Sequence, residues 1–346
     1  MERKLASIQK ILDLQPIPNA DSIEVTTVLG WKVVVKKGEF EIGDLCVYFE
    51  IDSVLPPRPE FEFLAPHKYR IRTVRLKGQI SQGICFPTTI VSDEIIKNAF
   101  ERGLLHSPNQ VAEGLDVTQI LGVTKYDPPM PVELAGKVRG QFPSFIPKTD
   151  ETRIQAFPYI LQKYKDTLFV VTEKVDGSSV TFFMRDGELH CCSRNLDLLE
   201  SADNTIWQMA KTLDLENKLK TVPNIALQGE LVGEKMQGNK LKIQGKKVLF
   251  FTAFDIDKGD YLPHYLFKPL IRNLGLESVP VLEENVLLPS SVDEAVAMAT
   301  RKSSIAPDVW LEGLVFRPAI HEQRDEDLGR LSFKVINPEF LLGFKE

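Results

Sequence analysis

Residues 172–177 read Thr-Glu-Lys-Val-Asp-Gly and lie between two apolar runs. Such runs favour β-strands and Asp-Gly favours a tight turn, so the stretch predicts a hairpin that carries a nucleophile. Alternation along a strand places Lys174 and Asp176 on one face, while Glu173 and Val175 point to the other. An ammonium and a carboxylate that open into one cavity can serve a triphosphate and its metal. An exposed strand that ends in an ordinary turn is the alternative, and the rest of the chain decides between them.

The composition is that of an ordinary globular protein with room for two domains. The 346 residues are 43% hydrophobic and 26% charged, and their net charge is −6. This charge argues against bulk attraction to nucleic acid but not against a local basic groove. No stretch approaches the roughly 18 apolar residues of a membrane span, and charges interrupt the first ten positions, so we expect an intracellular protein, cytoplasmic or organellar. The four cysteines show no C-x-x-C spacing, so neither a zinc site nor a disulfide framework is expected.

The first 125 residues are predicted to form a small β-barrel. Short strand-like runs are separated by Gly, Pro, Asn and Asp, which is typical of barrels. The runs are Ile23–Val28, Lys32–Val35, Leu45–Phe49 and Ile71–Leu76. Together with these runs, the phrases at 16–23, 30–31 and 43–49 resemble OB-fold domains that bind tRNA and other nucleic acids.

A basic segment lies within this predicted barrel. Residues 63–92 contain no Asp or Glu, and five basic side chains fall within ten positions of that range. They are Lys68, Arg70, Arg72, Arg75 and Lys77. We expect the first three to share one strand face, as a groove that follows a phosphate backbone requires. A solvated basic edge strand that resists aggregation is the alternative.

Residues 126–148 have the Pro-rich and Gly-rich composition of a linker, which places the predicted domains at 1–125 and 149–346. Beyond the linker, strand patterns mix with helix patterns, so an α+β domain with antiparallel sheets is predicted. The strands are expected at Leu168–Thr172, Ser179–Met184, Val248–Phe254 and Gly313–Arg317, and the helices at about Asn204–Lys220 and Val292–Thr300.

Five further phrases follow residues 172–177 in a fixed order. They are Ser193-Arg194-Asn195, then 229–233 continuing to 237–239, then 251–255, 311–315 and 332–335. The six phrases resemble motifs I, Ia, III, IIIa, IV and V of the covalent nucleotidyltransferases, which comprise RNA ligases, DNA ligases and mRNA capping enzymes. Each phrase is short, and the specificity lies in the ordered set. The resemblance implies a nucleotidyltransferase domain, ATP-grasp-like with antiparallel sheets and helices, after the OB-fold barrel.

The resemblance also implies a lysine nucleophile, ATP, and Mg²⁺ or Mn²⁺. Lys174 would attack the α-phosphorus of ATP, expel pyrophosphate and hold AMP, with Lys334 at the α-phosphate. A free lysine is protonated at neutral pH, so Lys174 needs desolvation or neighbouring positive charge. Asp176, Glu230 and Glu312 would position the metal, directly or through waters. The structural alternatives are turn residues for Asp176 and Glu312 and an exposed strand lysine for Lys334.

Further residues are implied for the nucleotide. They are Glu173 for the adenine edge, Arg194 for phosphate or ribose, Glu230 for the ribose hydroxyls, Phe254 for stacking on adenine, and Arg153 for a phosphate. Each has a structural alternative. Glu230 could instead pair with Lys235 or Lys240, Arg194 could form a surface ion pair, and Arg153 could lie on a helix surface. Phe254 could be a core residue, with Phe251 as the competing candidate.

Two features indicate which kind of covalent nucleotidyltransferase the chain resembles. Ser332 takes the first position of the usual Lys-x-Lys of motif V, so Lys334 acts alone or another base helps. Only 12 residues follow Lys334, so the expected OB domain precedes the catalytic lysine. This order resembles RNA ligases that seal 3′-OH/5′-phosphate nicks whose 3′-OH strand is RNA, and a monomer is expected. The alternatives are a DNA ligase, a capping-type guanylyltransferase, or a non-catalytic nucleic-acid-binding protein.

Overall fold

The structure is a computed structural model that describes residues 3–105, 111–126 and 137–343. The chain divides into two units. The first contains Met1–Pro129 with Gln155–Pro158 and Leu341–Glu346, and the second contains Met130–Ile154 and Tyr159–Phe340. Residues 127–136 of the predicted linker lie outside the described residues, so the boundaries of the linker stay a prediction.

The first unit consists mainly of short antiparallel strands. They are β1 (Ala6–Lys10), β2 (Leu14–Pro16), β3 (Ile23–Val28), β4 (Trp31–Lys36), β5 (Leu45–Phe49), β6 (Ser53–Val54), β7 (Thr73–Leu76), β8 (Gln79–Gln82), β9 (Ile84–Pro87) and β10 (Thr124–Lys125). The sheet orders are β1-β5-β9, β2-β3-β4, β7-β8 and β10-β6. A 3-10 helix at Pro59–His67, another at Thr88–Ile90, and α1 (Asp93–Glu101) complete the described elements.

Alternating burial explains why these segments form strands. In β4, Trp31, Val33 and Val35 are buried while the residues between them are half-buried. The buried side chains join one core in which the rings of Phe49 and Phe61 meet edge to face, with centroids 5.6 Å apart. Three of the four predicted strands are confirmed, and the fourth begins at Thr73 instead of Ile71.

The second unit contains two larger sheets. Its strands are β11 (Val138–Gln141), β12 (Thr152–Arg153), β13 (Phe169–Lys174), β14 (Ser178–Arg185), β15 (Glu188–Cys192), β16 (Leu196–Leu198), β17 (Ile225–Gly233), β18 (Lys246–Asp255), β19 (Asp260–Tyr261), β20 (Val281–Val286), β21 (Gly313–Pro318), β22 (Arg324–Asp325), β23 (Gly329–Arg330) and β24 (Phe333–Ile336). The seven-stranded sheet has the order β11-β16-β15-β14-β17-β18-β19, and the five-stranded sheet has the order β12-β24-β21-β13-β20. All pairs are antiparallel except β12 with β24, so the predicted α+β class is confirmed.

The remaining described helices are short. They are α2 (Ile160–Lys163), α3 (Thr205–Thr212), α4 (Leu215–Lys220), α5 (His264–Asn273), α6 (Val292–Ala299) and α7 (Pro338–Gly343), with 3-10 turns at Ile154–Ala156 and Gln237–Asn239. The single helix predicted at Asn204–Lys220 is two helices, because Asp214 adopts a left-handed conformation with φ of 51° between them. Asn204 caps α3 by accepting hydrogen bonds from two backbone N–H groups. No described helix is long and apolar enough to cross a membrane.

The hairpin predicted around residues 172–177 is wrong. β13 belongs to the five-stranded sheet and β14 to the seven-stranded sheet, so residues 175–177 cross from one sheet to the other. Gly177 makes this crossing possible. A Cβ atom there would lie 2.4 Å from the carbonyl oxygen of Leu231 on β17, a distance that no side chain tolerates. The glycine is therefore needed for close approach between backbones rather than for a turn.

Candidate active site

The register of the five-stranded sheet places three predicted site residues along one face. Val315 of β21 lies between Thr172 of β13 and Lys334 of β24 in the sheet. Lys334 in turn lies beside Arg153 of β12. Directly paired residues point to the same side of a sheet, and Lys174 follows Thr172 by two residues on the same strand. Lys174, Lys334 and Arg153 therefore share a face, which is a floor suited to phosphates.

Lys174 is paired with Glu312 at the end of β13. Its Nζ donates a hydrogen bond to Glu312 Oε1 at 2.6 Å, and both side chains are largely buried. Glu312 directly precedes Gly313, which lies opposite Lys174 in the sheet. The buried Asn337 fixes this segment because its backbone N–H donates to the Glu312 carbonyl and its side chain donates to the Leu311 carbonyl. The pairing thus follows from sheet register as much as from charge.

The seven-stranded sheet adds Glu230 from β17, opposite Ser179 of β14. A Cβ atom on Gly177 would lie 3.0 Å from the Glu230 side chain, so the crossing segment and this carboxylate are in contact. Asp176, on the same segment, is 3.2 Å from the Nζ atom of Lys240. The salt bridge from Glu230 to Lys235 or Lys240 that the sequence left open is therefore not formed, since Lys240 pairs with Asp176 and Lys235 is exposed.

Burial and neighbouring carboxylate charge raise the proton affinity of Glu230 and Asp176. Burial, with the charge of Glu312 and Asp176 added, raises the pKa of Glu230 to about 8. Burial and the Glu312 charge raise the pKa of Asp176 to about 6, against the opposing effect of Lys240. Burial lowers the pKa of Lys174, but the surrounding carboxylates, Glu312 first, outweigh burial and hold that pKa above its usual value. The Lys174 ammonium is therefore protonated until the negative charge around it is neutralised.

The metal role predicted for Asp176, Glu230 and Glu312 stays a prediction. Among the described residues, no group of three or more His, Cys, Asp or Glu side chains has the arrangement of a ready metal site. Glu312 Oε2 is buried and receives no hydrogen bond from a described residue. A buried carboxylate oxygen without a hydrogen-bond donor is costly to leave unpaired, and it fits a site that accepts a further cation.

Glu173 does not point toward the Lys174 face. Its carboxylate is buried at 1% exposure and accepts hydrogen bonds from Ser303 Oγ, from Ser304 N at 2.9 Å and from Ser304 Oγ at 2.6 Å. Alternation along β13 predicts this opposite orientation. Because the carboxylate is already engaged, any recognition of adenine by Glu173 falls to its backbone.

Phe254 occupies the core position that the sequence left open as its alternative. It is 3% exposed and packs in a cluster with Ile146 and Phe183, and its ring meets Tyr261 at 5.1 Å. Phe251, three residues earlier on β18, is half-buried and packs against the cluster that contains Val175. Of the two candidates, Phe251 is thus the one that retains an accessible surface near the crossing segment.

Arg194 takes the surface position that was its alternative. Its Nη2 donates to Asp150 Oδ2 at 2.6 Å, and the arginine side chain is 41% exposed. Arg153, in contrast, lies on β12 rather than on a helix and is half-buried on the Lys174 face. The structure therefore brings Arg153 to the floor of the site.

A largely buried ionic group that the sequence did not reveal lies next to Ser332. Arg317 Nη2 donates to Glu151 Oε1 at 2.7 Å, and Ser332 lies beside the same carboxylate. Burial raises the pKa of Glu151, but Arg317 and Arg330 outweigh burial and hold the pKa below its usual range. Alternation on β21 could have identified Arg317, since it shares a face with Gly313 and Val315.

The basic segment of the first unit does not form the predicted strand face. Lys68 follows the 3-10 helix in a left-handed conformation with φ of 54°, and the next strand begins at Thr73. Arg70 is buried, with its guanidinium 3.1 Å from Asp52 Oδ1 and 3.7 Å from the centre of the Tyr126 ring. The prediction that Lys68, Arg70 and Arg72 share a strand face is therefore wrong.

The exposed basic side chains lie on and around the β7–β8 hairpin. Arg72 precedes β7, Arg75 lies within it, and Lys77 occupies its turn, and all three are exposed, as is Lys68. Arg75 Nη1 donates to the Gly78 carbonyl at 2.9 Å, which holds it along the turn. These side chains form a basic surface with a different geometry from the one predicted.

Comparison with known proteins finds similarity over both parts of the chain. A family model described as an OB-fold domain matches residues 5–88, and a model described as RNA ligase matches residues 167–336. The structure of Naegleria gruberi RNA ligase with PPi is similar at 36% identity and a TM-score of 0.85, covering 99% of each chain. Variants of that ligase with ATP and Mn at 35% identity, and with AMP and Mn at 36%, have the same TM-score and coverage. No curated protein matches the sequence.

Proposed function

Because this chain belongs to the RNA ligase family, we propose that it is an ATP-dependent ligase that joins RNA 3′-OH to 5′-phosphate ends at nicks in duplexes. The observation that carries the proposal is the position of Lys174. It lies where two sheets meet, among three carboxylates, on a face shared with Lys334 and Arg153. The Naegleria ligase variants with ATP and Mn and with AMP and Mn support the nucleotide and the metal.

In the first step, Lys174 Nζ forms a bond to the α-phosphorus of ATP and the bond from that phosphorus to pyrophosphate breaks. The ammonium must first lose a proton, which the carboxylates oppose. Glu312 holds Nζ in place at 2.6 Å, so orientation of the nucleophile precedes its deprotonation. Lys334 and Arg153 offer positive charge to the phosphates from the same sheet face.

The residues around Lys174 fit a divalent cation. Glu312 has a buried oxygen that receives no hydrogen bond from a described residue, and the pKa values of Asp176 and Glu230 are raised by burial first and by neighbouring carboxylate charge second. We assign Asp176, Glu230 and Glu312 to hold Mg²⁺ or Mn²⁺, directly or through waters. A bound cation there would neutralise carboxylate charge and stabilise charge on the phosphates.

The positions of the residues around Lys174 also indicate which of them would contact the nucleotide. Glu230 is also suited to accept hydrogen bonds from the ribose hydroxyls, and Phe251 to offer its face to the adenine ring. Arg194 is exposed and would reach the nucleotide only by releasing Asp150. We therefore rank Arg153 above Arg194 as a phosphate contact.

In the later steps, AMP moves from Lys174 to a 5′-phosphate, and a 3′-OH attacks that phosphate as AMP leaves. We assign duplex binding to the first unit, through the exposed Arg72, Arg75 and Lys77 around the β7–β8 hairpin, with Lys68 nearby. A monomer suffices, because every proposed site residue comes from one chain. The four cysteines are buried free thiols, which fits the intracellular, cytoplasmic or organellar, location that we propose.

Sealing of nicked duplexes tests this proposal. We expect sealing with ATP and Mg²⁺ when the 3′-OH strand is RNA, and slower sealing when that strand is DNA. Lys174→Ala should abolish sealing, whereas Lys165→Ala, which changes an exposed lysine of the same unit, should not alter it. Absence of sealing on every duplex, or equal sealing by Lys174→Ala, contradicts the proposal.

A further inference from the structure

Lys240 lies in the candidate active site, but it belongs to none of the six sequence phrases that indicated this site. Its side chain is 17% exposed, and its Nζ is 3.2 Å from Asp176 Oδ2 and 4.8 Å from the centre of the Phe340 ring. Asp176 follows Lys174 by two residues. The ammonium of Lys240 is therefore held beside a carboxylate of the site that lies two residues from the nucleophile.

The loop that carries Lys240 is fixed on both sides of it. Asn239 Nδ2 donates to the Ile243 carbonyl at 2.9 Å, and Ile243 N donates to Asn239 Oδ1 at 3.0 Å. Leu241 is buried in the apolar cluster that also contains Val175. Because both neighbours of Lys240 are anchored, its long side chain enters the site from a fixed base and loses less entropy in doing so.

Adenylylation changes the charge of this site. Before the reaction the Lys174 ammonium offsets part of the charge of the three carboxylates. Nζ loses one proton to solvent before attack and a second as the Nζ–P bond forms and the P–O bond to pyrophosphate breaks, and an AMP phosphate with one negative charge remains on a neutral nitrogen. One positive charge is lost and one negative charge is gained, so the AMP-bound enzyme requires positive charge close by.

We propose that Lys240 is a charge-compensating residue that stabilises the AMP-bound enzyme, with its ammonium between Asp176 and the AMP phosphate. This inference rests on the proposed function and extends it by one residue. Lys242 lies two positions further along the same loop and is exposed, so it makes a matched control. A lysine that merely paired with Asp176 would stabilise the fold without favouring the AMP-bound form.

The equilibrium of adenylylation separates these two roles. The enzyme is incubated with labelled ATP and Mg²⁺, and pyrophosphate is added until half of the enzyme-bound AMP is removed. We expect Lys240→Ala to need about tenfold less pyrophosphate than the unaltered enzyme, because the AMP-bound form loses a nearby charge. Lys240→Arg should stay within about twofold because it keeps the charge, and Lys242→Ala should leave the midpoint unchanged.

Thermal unfolding without nucleotide monitors the fold of each variant. If Lys240→Ala is too unstable to assay, Lys240→Gln removes the charge but keeps most of the side-chain length and part of its cover of Phe340, and the same tenfold shift is expected. A folded Lys240→Ala or Lys240→Gln enzyme with an unchanged pyrophosphate midpoint overturns the inference alone. If the unaltered enzyme forms no AMP adduct, the proposed function itself fails.

Discussion

At the scale of single residues, the site is defined by an excess of carboxylate charge around one lysine. Glu312 holds the Lys174 ammonium at 2.6 Å, while burial raises the pKa of Glu230 to about 8. A nucleophilic amine has to be neutral, so in the mechanism that we propose the carboxylates that position Lys174 also hold it protonated until a cation neutralises their charge. Positioning and activation are thus separate events in this site.

The raised pKa of Glu230 predicts a pH-dependent stability. The unfolded chain releases this proton near the ordinary glutamate pKa, whereas the folded protein retains it up to about pH 8. Between these values the folded state binds more protons, so the free energy of unfolding falls as the pH rises. In the absence of metal, Glu230→Gln should therefore gain about 1 to 2 kcal/mol over the unaltered protein at pH 8.5, and little at pH 5.

Urea unfolding at both pH values measures this difference. Glu216→Gln, which changes an exposed glutamate on α4, provides the control and should show no such gain. A loss of stability for Glu230→Gln at pH 8.5 would show that the Glu230 carboxylate is stabilised rather than strained by its surroundings.

At the scale of elements, strand β13 contributes to the site from both of its faces. Lys174 points to the face with Lys334, and Glu173 points to the opposite face, where it binds Ser303 and Ser304. These serines lie in the segment that leads from α6 to Glu312. Glu173 therefore anchors the segment that delivers the partner of Lys174.

Removal of this anchor should cost both stability and activity. Glu173→Ala leaves the buried Ser303 hydroxyl and the N–H and hydroxyl of Ser304 without their acceptor, so we expect a loss of about 2 to 4 kcal/mol in the free energy of unfolding. Glu284→Ala, which changes an exposed glutamate on the neighbouring strand β20, should cost less than about 1 kcal/mol. Chemical denaturation compares the two, and equal effects would refute the anchoring role.

Local pattern predicted the strands of the site but not their partners. Alternation gave β13 and the opposite orientations of Lys174 and Glu173 correctly, because side-chain direction is fixed by the strand itself. The hairpin was wrong because β13 pairs with residues 281–286 and 313–318, and such distant pairing leaves no local signal. The hydrogen bond from Ser303 to Glu173 and the pairing of Lys240 with Asp176 also join residues that are distant in sequence.

At the scale of the whole molecule, the chain belongs to the RNA ligase family, and the work that we propose is divided between its two units. The second unit contains every residue that we assign to the nucleotide. The first unit carries the exposed basic residues around β7 and β8. The basic composition of this segment predicts that Arg70 is one of these residues. In the structure its charge is paired with Asp52 inside the unit, and composition alone does not reveal such a pairing.

This division predicts that RNA binding and AMP transfer can be separated. The triple change of Arg72, Arg75 and Lys77 to alanine should weaken binding to a nicked duplex and lower the salt dependence by about 2 to 3 in slope. Labelling of Lys174 by ATP should persist. Arg70→Ala is the contrasting variant, since loss of its contacts with Asp52 and Tyr126 should lower stability by about 2 to 3 kcal/mol.

Binding titrations at several salt concentrations, run beside ATP labelling, measure both effects. If the triple variant binds the duplex with unchanged affinity and salt slope, the assignment of these three residues to RNA contact is wrong.

The central claim is that Lys174, and no other lysine of the site, carries AMP. The most direct measurement is peptide mapping by mass spectrometry after incubation with ATP and Mg²⁺. We expect the mass of one AMP moiety on the peptide that contains Lys174, with none on the peptides that contain Lys240 or Lys334. AMP on either of those peptides, or on none, would contradict it.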